Sequence, residues 1–560
     1  MPAIPGSGTI QCRRLVSRLA CLCLAAIFPG TGLALDLVVV PPGELLAVRL
    51  TAPVSTYRAK KGDPISFVLA SPLYQHGLMV LPAGVRVNGS VDLVRKVGLG
   101  FRHTAAALRI AFHEVQVSGD TYAPLAARVV EVENARESVD TEGTIRGIQA
   151  GSNPAARITS RFSHLPSLNP YPDLALLTFK LAFPLFPEPE IQYAPGTDMW
   201  LELAAPLKLP VPGSTPSPEI SRFTEDELSE LEELSRGVPA RSTTRSGQKP
   251  ADIVNLLIIG SRHQVESAFG ASGWAGTDSM SKRAFVKTIV AAIERRAYDR
   301  SPMSEQLLEG RAPELKLQKT LNSYEKRHHA RLWKLEPAWR GQEVWAASAT
   351  HDISMRFSLK AFKMFHHIEA NIDLEREKIL ADLALAGCVE TLGLLERPHA
   401  PRQALNATGD PMITDGAIAA LRLKDCGGPE GAGQPAWGAR MPKSGNKLTR
   451  LVRRQVLTFR HDIVRGNVFG GVYEMGLLVH QNFLRGKPRT KVGGLLQTGK
   501  SQSYGTSRLV SGTPRLPAGS PEAAAPSSLT RRGRRDSLNR KLAKDVFVDN
   551  KGFVHQVSGE

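Results

Sequence analysis

The sequence predicts a multidomain chain: an N-terminal all-β barrel or sandwich, an α/β domain with a mixed sheet, and a largely disordered basic tail. Three observations predict it. Residues 36 to about 212 carry short β-branched runs punctuated by Gly and Pro. Residues 250–426 alternate strand-like and helix-like patterns. After Asp425, Gly, Pro, Ser and basic residues dominate. A chain of 560 residues has room for several domains at roughly 150 residues each. The formal charge is +18. Most of it lies in residues 427–560, with about 23 Lys and Arg against about 8 Asp and Glu, so the basicity describes a tail and not a nucleic-acid-binding fold.

Residues 1–34 read as an export signal. Arg13, Arg14 and Arg18 precede an apolar run from Leu19 to Phe28, which is short for a span of about 20 residues. Gly32-Leu33-Ala34 supplies a small-x-small cleavage site; an uncleaved anchor is the alternative. Cys21 and Cys23 sit inside the run, which does not favour a lipoprotein signal. The mature chain then keeps Cys388 and Cys426, which can pair in an oxidising compartment or stay as two buried thiols. With no CxxC pair, a thiolate metal site is not expected. The expected location is the periplasm or cell envelope.

In the β-rich part, residues 35–212, the expected strands are Leu45–Leu50, Ile65–Leu69, Val85–Val94 and Ala106–Val115, parted by Pro42-Gly43, Gly62-Asp63-Pro64 and Pro82-Ala83-Gly84. A weak repeat relates Pro42–Pro53 to Pro195–Pro206, each a turn, a strand and a proline stop. Two such strands could close one barrel. The run from Pro41 to Val91 resembles the β-barrel domains of TrbI-like components of conjugative secretion channels, a resemblance resting on turn chemistry that implies a periplasmic barrel.

Residues 213–249 read as a linker with one short helix. Thr224 and Glu227 form a capping box, and Phe223 can staple onto Leu228. The domain from 250 to 426 opens on an apolar run, Ile253–Ile259. Ser261 then caps a helix through Gly270, and Lys282–Tyr298 reads as a basic helix. Leu315–Leu317, His328–Trp333, Val344–Ala349, Cys388–Leu395 and Ala417–Leu423 read as strands. Asp373–Ala386 reads as a helix stopped by Gly387, with Asp373 as N-cap and Glu375 and Glu377 favouring its dipole. In the tail, residues 427–560, Leu448–Val464 can form a basic amphipathic helix, and 486–544 read as disordered.

Chemistry-bearing side chains concentrate in the central domain. On a strand, His329, Arg331 and Trp333 share one face. With Arg327 they could grip a small anion, Trp333 walling the pocket, or simply pair with internal acids. His329, Asp352, His366 and His367 could ligate a divalent metal, zinc or manganese by ligand type, though no HExxH spacing supports it. As a catalytic set, Asp352, His329 and His367 would activate water. No GxSxG, P-loop or GxGxxG motif lies at a strand-to-helix turn.

The order of these motifs resembles the LssY C-terminal domain family of bacterial envelope proteins. The matching residues are Asp252-x-Val254-Asn255-Leu256, Gly260-Ser261, Gly273-Trp274, Ser301-Pro302-x-Ser304, Arg327-His328-His329-x-Arg331-Leu332-Trp333, Thr350-x-Asp352, His366-His367-Ile368, Ile372-Asp373-x-Glu375-Arg376, Gly387-Cys388 and Thr414-Asp415-Gly416. Ile253 and Phe365 depart from the pattern. The resemblance implies an envelope role, tied to secretion or envelope upkeep, and no defined reaction. The expected function is binding or assembly at the envelope; the alternative is a metal-dependent phosphoester hydrolase. Expected partners are envelope proteins, or an anionic envelope surface met by the tail, with nucleic acid not favoured because the tail lacks interleaved aromatics.

Overall fold

A computed structural model describes residues 37–149, 187–210, 220–426 and 442–466, less a few positions within them. The expected export signal, the tail after 466 and parts of the Lys282–Tyr298 helix lie outside the described residues. Among the described residues no helix is long and apolar enough to cross a membrane.

The N-terminal part is a nearly closed barrel. Its main strands are β1 (Leu45–Leu50), β2 (Pro64–Leu69), β3 (Arg86–Arg95), β4 (Ala107–Ser118), β5 (Ala127–Val132) and β6 (Asp198–Leu203). They lie in the order β5-β6-β1-β2-β3-β4, all antiparallel. The two repeats pair with each other: β1 lies against β6 with Arg49 opposite Asp198. Alternate residues, such as Leu46, Val48 and Leu50 on β1 and Met199, Leu201 and Leu203 on β6, fill one core. Bulges at Asn88/Gly89 and Val91/Leu93 bend the long β3–β4 ribbon. Gly89 permits the approach, since a Cβ there would lie 2.5 Å from Ala111 O.

The central domain is a mixed sheet between helices. It contains β7 (Leu256–Ile259), β8 (Leu315–Lys319), β9 (Arg327–Trp339), β10 (Gln342–Ser358), β11 (Lys363–Ile368), β12 (Val389–Leu395) and β13 (Ile418–Leu423). The order is β12-β13-β7-β10-β9-β8, with β11 also on β10; β13 and β7 run parallel and the other pairs antiparallel. Helices α1 (Glu225–Gly237), α2 (Arg262–Ala271) and α3 (Asp373–Leu385) cover it. Leu228 and Leu231 of α1 pack on the face bearing Trp333 and Val344. Val265 and Phe269 of α2, with Ile379 and Leu383 of α3, pack on the face bearing Leu332 and Trp345.

The local signals hold. Thr224–Glu227 and Ser261–Gln264 both form complete capping boxes, and Gly387 ends α3 with φ of +73°. Three expectations change. Residues 220–249 are built into the domain: Ser221–Arg222 adds to the edge of β12, and Phe223 and α1 enter its core. The apolar run Ile253–Ile259 is broken. Pro250–Ile253 joins a small three-stranded sheet, and Asn255 at the break hydrogen-bonds both Ala349 N and Ala349 O at 3.0 Å, standing in for backbone pairing. Asp373 does not cap α3, whose N-cap is Ile372 in helical geometry without a side-chain bond.

The basic helix of the tail, α4 (Lys447–Gly466), docks on the barrel. Arg453 is fully buried, bonding Gly98 O, Glu188 and Ser444, and Leu457 enters the barrel core. This stretch of the basic segment is therefore not a free polycation.

Candidate functional site

β9 and β10 pair Arg327 with Asp352, His328 with His351, and His329 with Thr350. Because side chains alternate across a strand, the polar residues divide into clusters on opposite faces.

On one face Arg327 Nε donates to Asp352 Oδ2 at 2.8 Å, and its Nη1 to Gln318 Oε1 at 3.1 Å. His329 Nε2 lies 2.7 Å from Thr350 Oγ1. His329 Nδ1 and His366 Nδ1, neither hydrogen-bonded, face Asp352 at 3.6 and 3.4 Å. Arg331 donates to Asp252 at 3.1 Å and to Ser304. Burial would raise Asp352, but the imidazoles of His329 and His366 and the guanidinium of Arg327 hold it well below the usual carboxylate range. Burial lowers His329 to about 3, and the neighbouring arginines add to this against the pull of Asp352.

The candidates expected from sequence separate here. His366 reaches Asp352, whereas its neighbour His367 bonds Asp410, so the two histidines do not serve one centre. Trp333 walls no pocket: it is fully buried in the apolar cluster under α1, with Nε1 donating to Arg311 O at 3.1 Å. Arg327 and Arg331 spend their donors on internal acids and carbonyls.

The opposite face holds residues that sequence reasoning passed over. His328 and His351 stack with ring centroids 4.2 Å apart. His328 Nδ1 lies 2.7 Å from Glu375 Oε2 of α3, and its Nε2 lies 3.7 Å from Glu133 of the barrel. His351 Nε2 lies 2.8 Å from Asn134 Oδ1, also of the barrel. One ligand atom each from His328, His351 and Glu375 come within 4.8 Å of one another, a spacing compatible with a metal ion. Glu375 therefore does more than favour a helix dipole. Burial opposes the charge on His328, yet Glu375 and Glu133 raise it to about 9. Burial and then His328 push His351 well below its ordinary value. Buried His328 Nε2 and Glu375 Oε1 lack hydrogen-bond partners, each costing about 1–3 kcal/mol.

Beside this cluster runs a charged seam between barrel and domain. Arg49 donates to Asp198 at 2.7 and 3.0 Å and also bonds Asp382. Lys319 and Lys378 reach Asp382 at 2.9 and 2.5 Å and Asp198 at 3.5 and 2.8 Å. Trp274 Nε1 completes the shell of Asp382 at 3.0 Å. A sequence signal existed: Glu375, Lys378 and Asp382 at spacings of three and four share one face of α3. Such a charged stripe ordinarily reads as a solvated face.

Other motif residues also bond one another. Asp373 accepts from Thr414 Oγ1 at 2.6 Å and from Asp415 N at 2.7 Å, while Arg376 donates to both oxygens of Asp415 at 2.9 and 2.8 Å. Cys388 and Cys426 are disulfide-bonded, with Cα atoms 5.1 Å apart.

Residues 234–418 match the family model described as LssY C-terminus. The central domain is similar to the LssY C-terminal domain family. No curated protein matches the chain. A structure of ComB10 of the Com type IV secretion system of Helicobacter pylori aligns with 31% of this chain and 93% of that chain, at 9% identity and a TM-score of 0.19. At that score the likeness bears on neither fold nor function. The LssY-type domain thus supplies the sheet, and the barrel supplies Glu133, Asn134, Arg49 and Asp198 to the clusters at their seam.

The buried histidines set a pH dependence. A group whose folded pKa is depressed below its unfolded value of 6.5, as His329 is, takes up a proton on unfolding between about 3 and 6.5. Stability from His329 should therefore fall by about 1.4 kcal/mol for each pH unit below 6.5. His328 has the opposite sign: raised to about 9, it contributes fully below 6.5 and loses its contribution as pH rises through 9. Urea denaturation from pH 4 to 9 should show a maximum near the imidazole range. His329→Gln should flatten the acid limb by about one proton; an unchanged slope would show that His329 is solvated in the folded chain.

Proposed function

We propose that the chain is an exported cell-envelope protein with a binding or assembly role, associated with secretion or envelope maintenance. One observation carries this reading. The motif residues of the LssY-type domain are bonded to one another: Arg331 with Asp252, Arg327 with Asp352, and Arg376 and Asp373 with Asp415 and Thr414. Side chains spent in this way build a scaffold, leaving recognition to its surfaces. The Cys388–Cys426 disulfide supports an oxidising compartment. The basic composition of residues 467–560 supports anionic envelope surfaces or envelope proteins as partners.

The test is fractionation of a Gram-negative host expressing the full chain, with maleimide labelling before and after reduction. The chain should appear in the periplasmic or envelope fraction with Cys388 and Cys426 labelled only after reduction. Recovery in the cytosol with both thiols reactive would overturn the proposal.

A second reading has one observation in its favour. His329 Nδ1 and His366 Nδ1 both face Asp352 without hydrogen bonds, an arrangement that zinc or manganese could exploit for phosphoester hydrolysis. Against it stands the Arg327 clamp on the same carboxylate. Metal-stimulated cleavage of a chromogenic phosphodiester that disappears in Asp352→Asn would move the balance to this reading.

A further inference from the structure

The cluster between the barrel and the LssY-type domain differs from the residues weighed above for catalysis. Its donors are two imidazoles and a carboxylate, the ligand types of zinc and related divalent transition metals. They come from three elements, β9, β10 and α3, so folding alone gathers them. Two atoms are buried without hydrogen-bond partners, Glu375 Oε1 and His328 Nε2. His328 and Glu375 are 2% and 3% exposed.

We propose that His328, His351 and Glu375 bind one divalent cation of the zinc class, which fastens the barrel to the LssY-type domain. The cation takes the place of the hydrogen shared by His328 Nδ1 and Glu375 Oε2. His351 Nε2–H donating to Asn134 Oδ1 leaves the Nδ1 lone pair as its ligand atom. His328 Nε2–H then points at Glu133, 3.7 Å away. Both outer partners belong to the barrel, and such partners fix the tautomer and orientation of ligating histidines. Three protein ligands leave a fourth position for water. Binding moves a proton and changes no oxidation state. Because the barrel orients ligands that the other domain supplies, cation affinity and domain docking are coupled.

The test uses the full chain, stripped with a chelator and titrated with zinc, cobalt or manganese ions by calorimetry, with metal content measured after dialysis. One cation per chain is expected. It should be lost in Glu375→Gln and in His351→Ala and kept in a His366→Ala/His367→Ala double variant. Asn134→Ala should keep the stoichiometry but weaken affinity by roughly 10–100-fold. Cation should also slow proteolytic separation of barrel and domain in the native chain. If a ligand variant does not fold, X-ray absorption of the zinc-loaded native chain and of the His366→Ala/His367→Ala variant decides, with two imidazoles expected in the first shell of each. The proposal is overturned by no stoichiometric cation after incubation with excess metal, by fewer than two imidazoles, or by loss of the cation in the His366→Ala/His367→Ala variant. Failure here leaves the envelope role standing, because fractionation and thiol labelling do not depend on the cation.

Discussion

Asp382→Asn should destabilise the chain by about 3–5 kcal/mol, the largest effect of any single substitution considered. Asp382 is fully buried and receives Arg49, Lys319, Lys378 and Trp274 Nε1. The amide keeps the volume and one acceptor but removes the charge, leaving three cations to share Asp198 and the more distant Glu133. Removing one member of a buried ion cluster costs far more than the pair's net worth, because the remaining charges stay desolvated. At roughly 2–4 °C per kcal/mol, the melting temperature should fall by about 6–20 °C. The exposed Arg262–Glu266 pair is the control: Glu266→Ala should cost less than about 1 kcal/mol. Equal effects of the two substitutions would mean that the seam is solvated and the barrel does not close on the domain as described. The acid limb offers a second check. Burial opposes the Asp198 charge, but Arg49, Lys378 and Lys319 lower it to about 2. Its contribution is present above the unfolded value of 3.8 and is lost as pH falls through 2.

Replacing both cysteines of the Cys388–Cys426 pair by serine should cost about 4 kcal/mol, from the entropy that a crosslink of this span removes from the unfolded chain. The bond joins the start of β12 to the segment just after β13, 38 residues apart in sequence. These two strands are already neighbours, so the crosslink holds an antiparallel pair at the edge of the sheet. Cys388 is fully buried, so two serines also place a hydroxyl in an apolar setting, adding to the loss. Denaturant midpoints of oxidised native chain, reduced native chain and the double variant separate the contributions. Reduction alone should reproduce most of the loss; no shift on reduction would show that the bond does not form in solution.

Much of the local structure was legible. The capping boxes at Thr224 and Ser261 act over three residues, and Gly387 needs only its own φ, so each could be read in isolation. The alternation that puts His329, Arg331 and Trp333 on one face of a strand is likewise local. The candidate site was legible only in part. His328, His351 and Glu375 were each visible as residues, but their meeting depends on the β9–β10 register and on where α3 crosses the sheet. The same limit explains Asp373, a well-placed cap by sequence that instead bonds Thr414 and Asp415 some forty residues away.

By itself the sequence determined the class of the barrel and of the central domain, most of their strand and helix positions, the family that the central domain resembles and the residue types available for chemistry. These follow from short-range periodicity and from turn and cap residues, whose energetics are decided within a few positions along the chain. Only the tertiary structure decided that the repeated segments pair through Arg49 and Asp198, that His366 and not His367 meets Asp352, and that the charged stripe of α3 is buried against the barrel. A polar side chain on a helix or strand can face water or a buried partner with the same local geometry. Which it does depends on the packing of distant elements, and there the cost of burying an unpaired charge selects the arrangement in which charges meet.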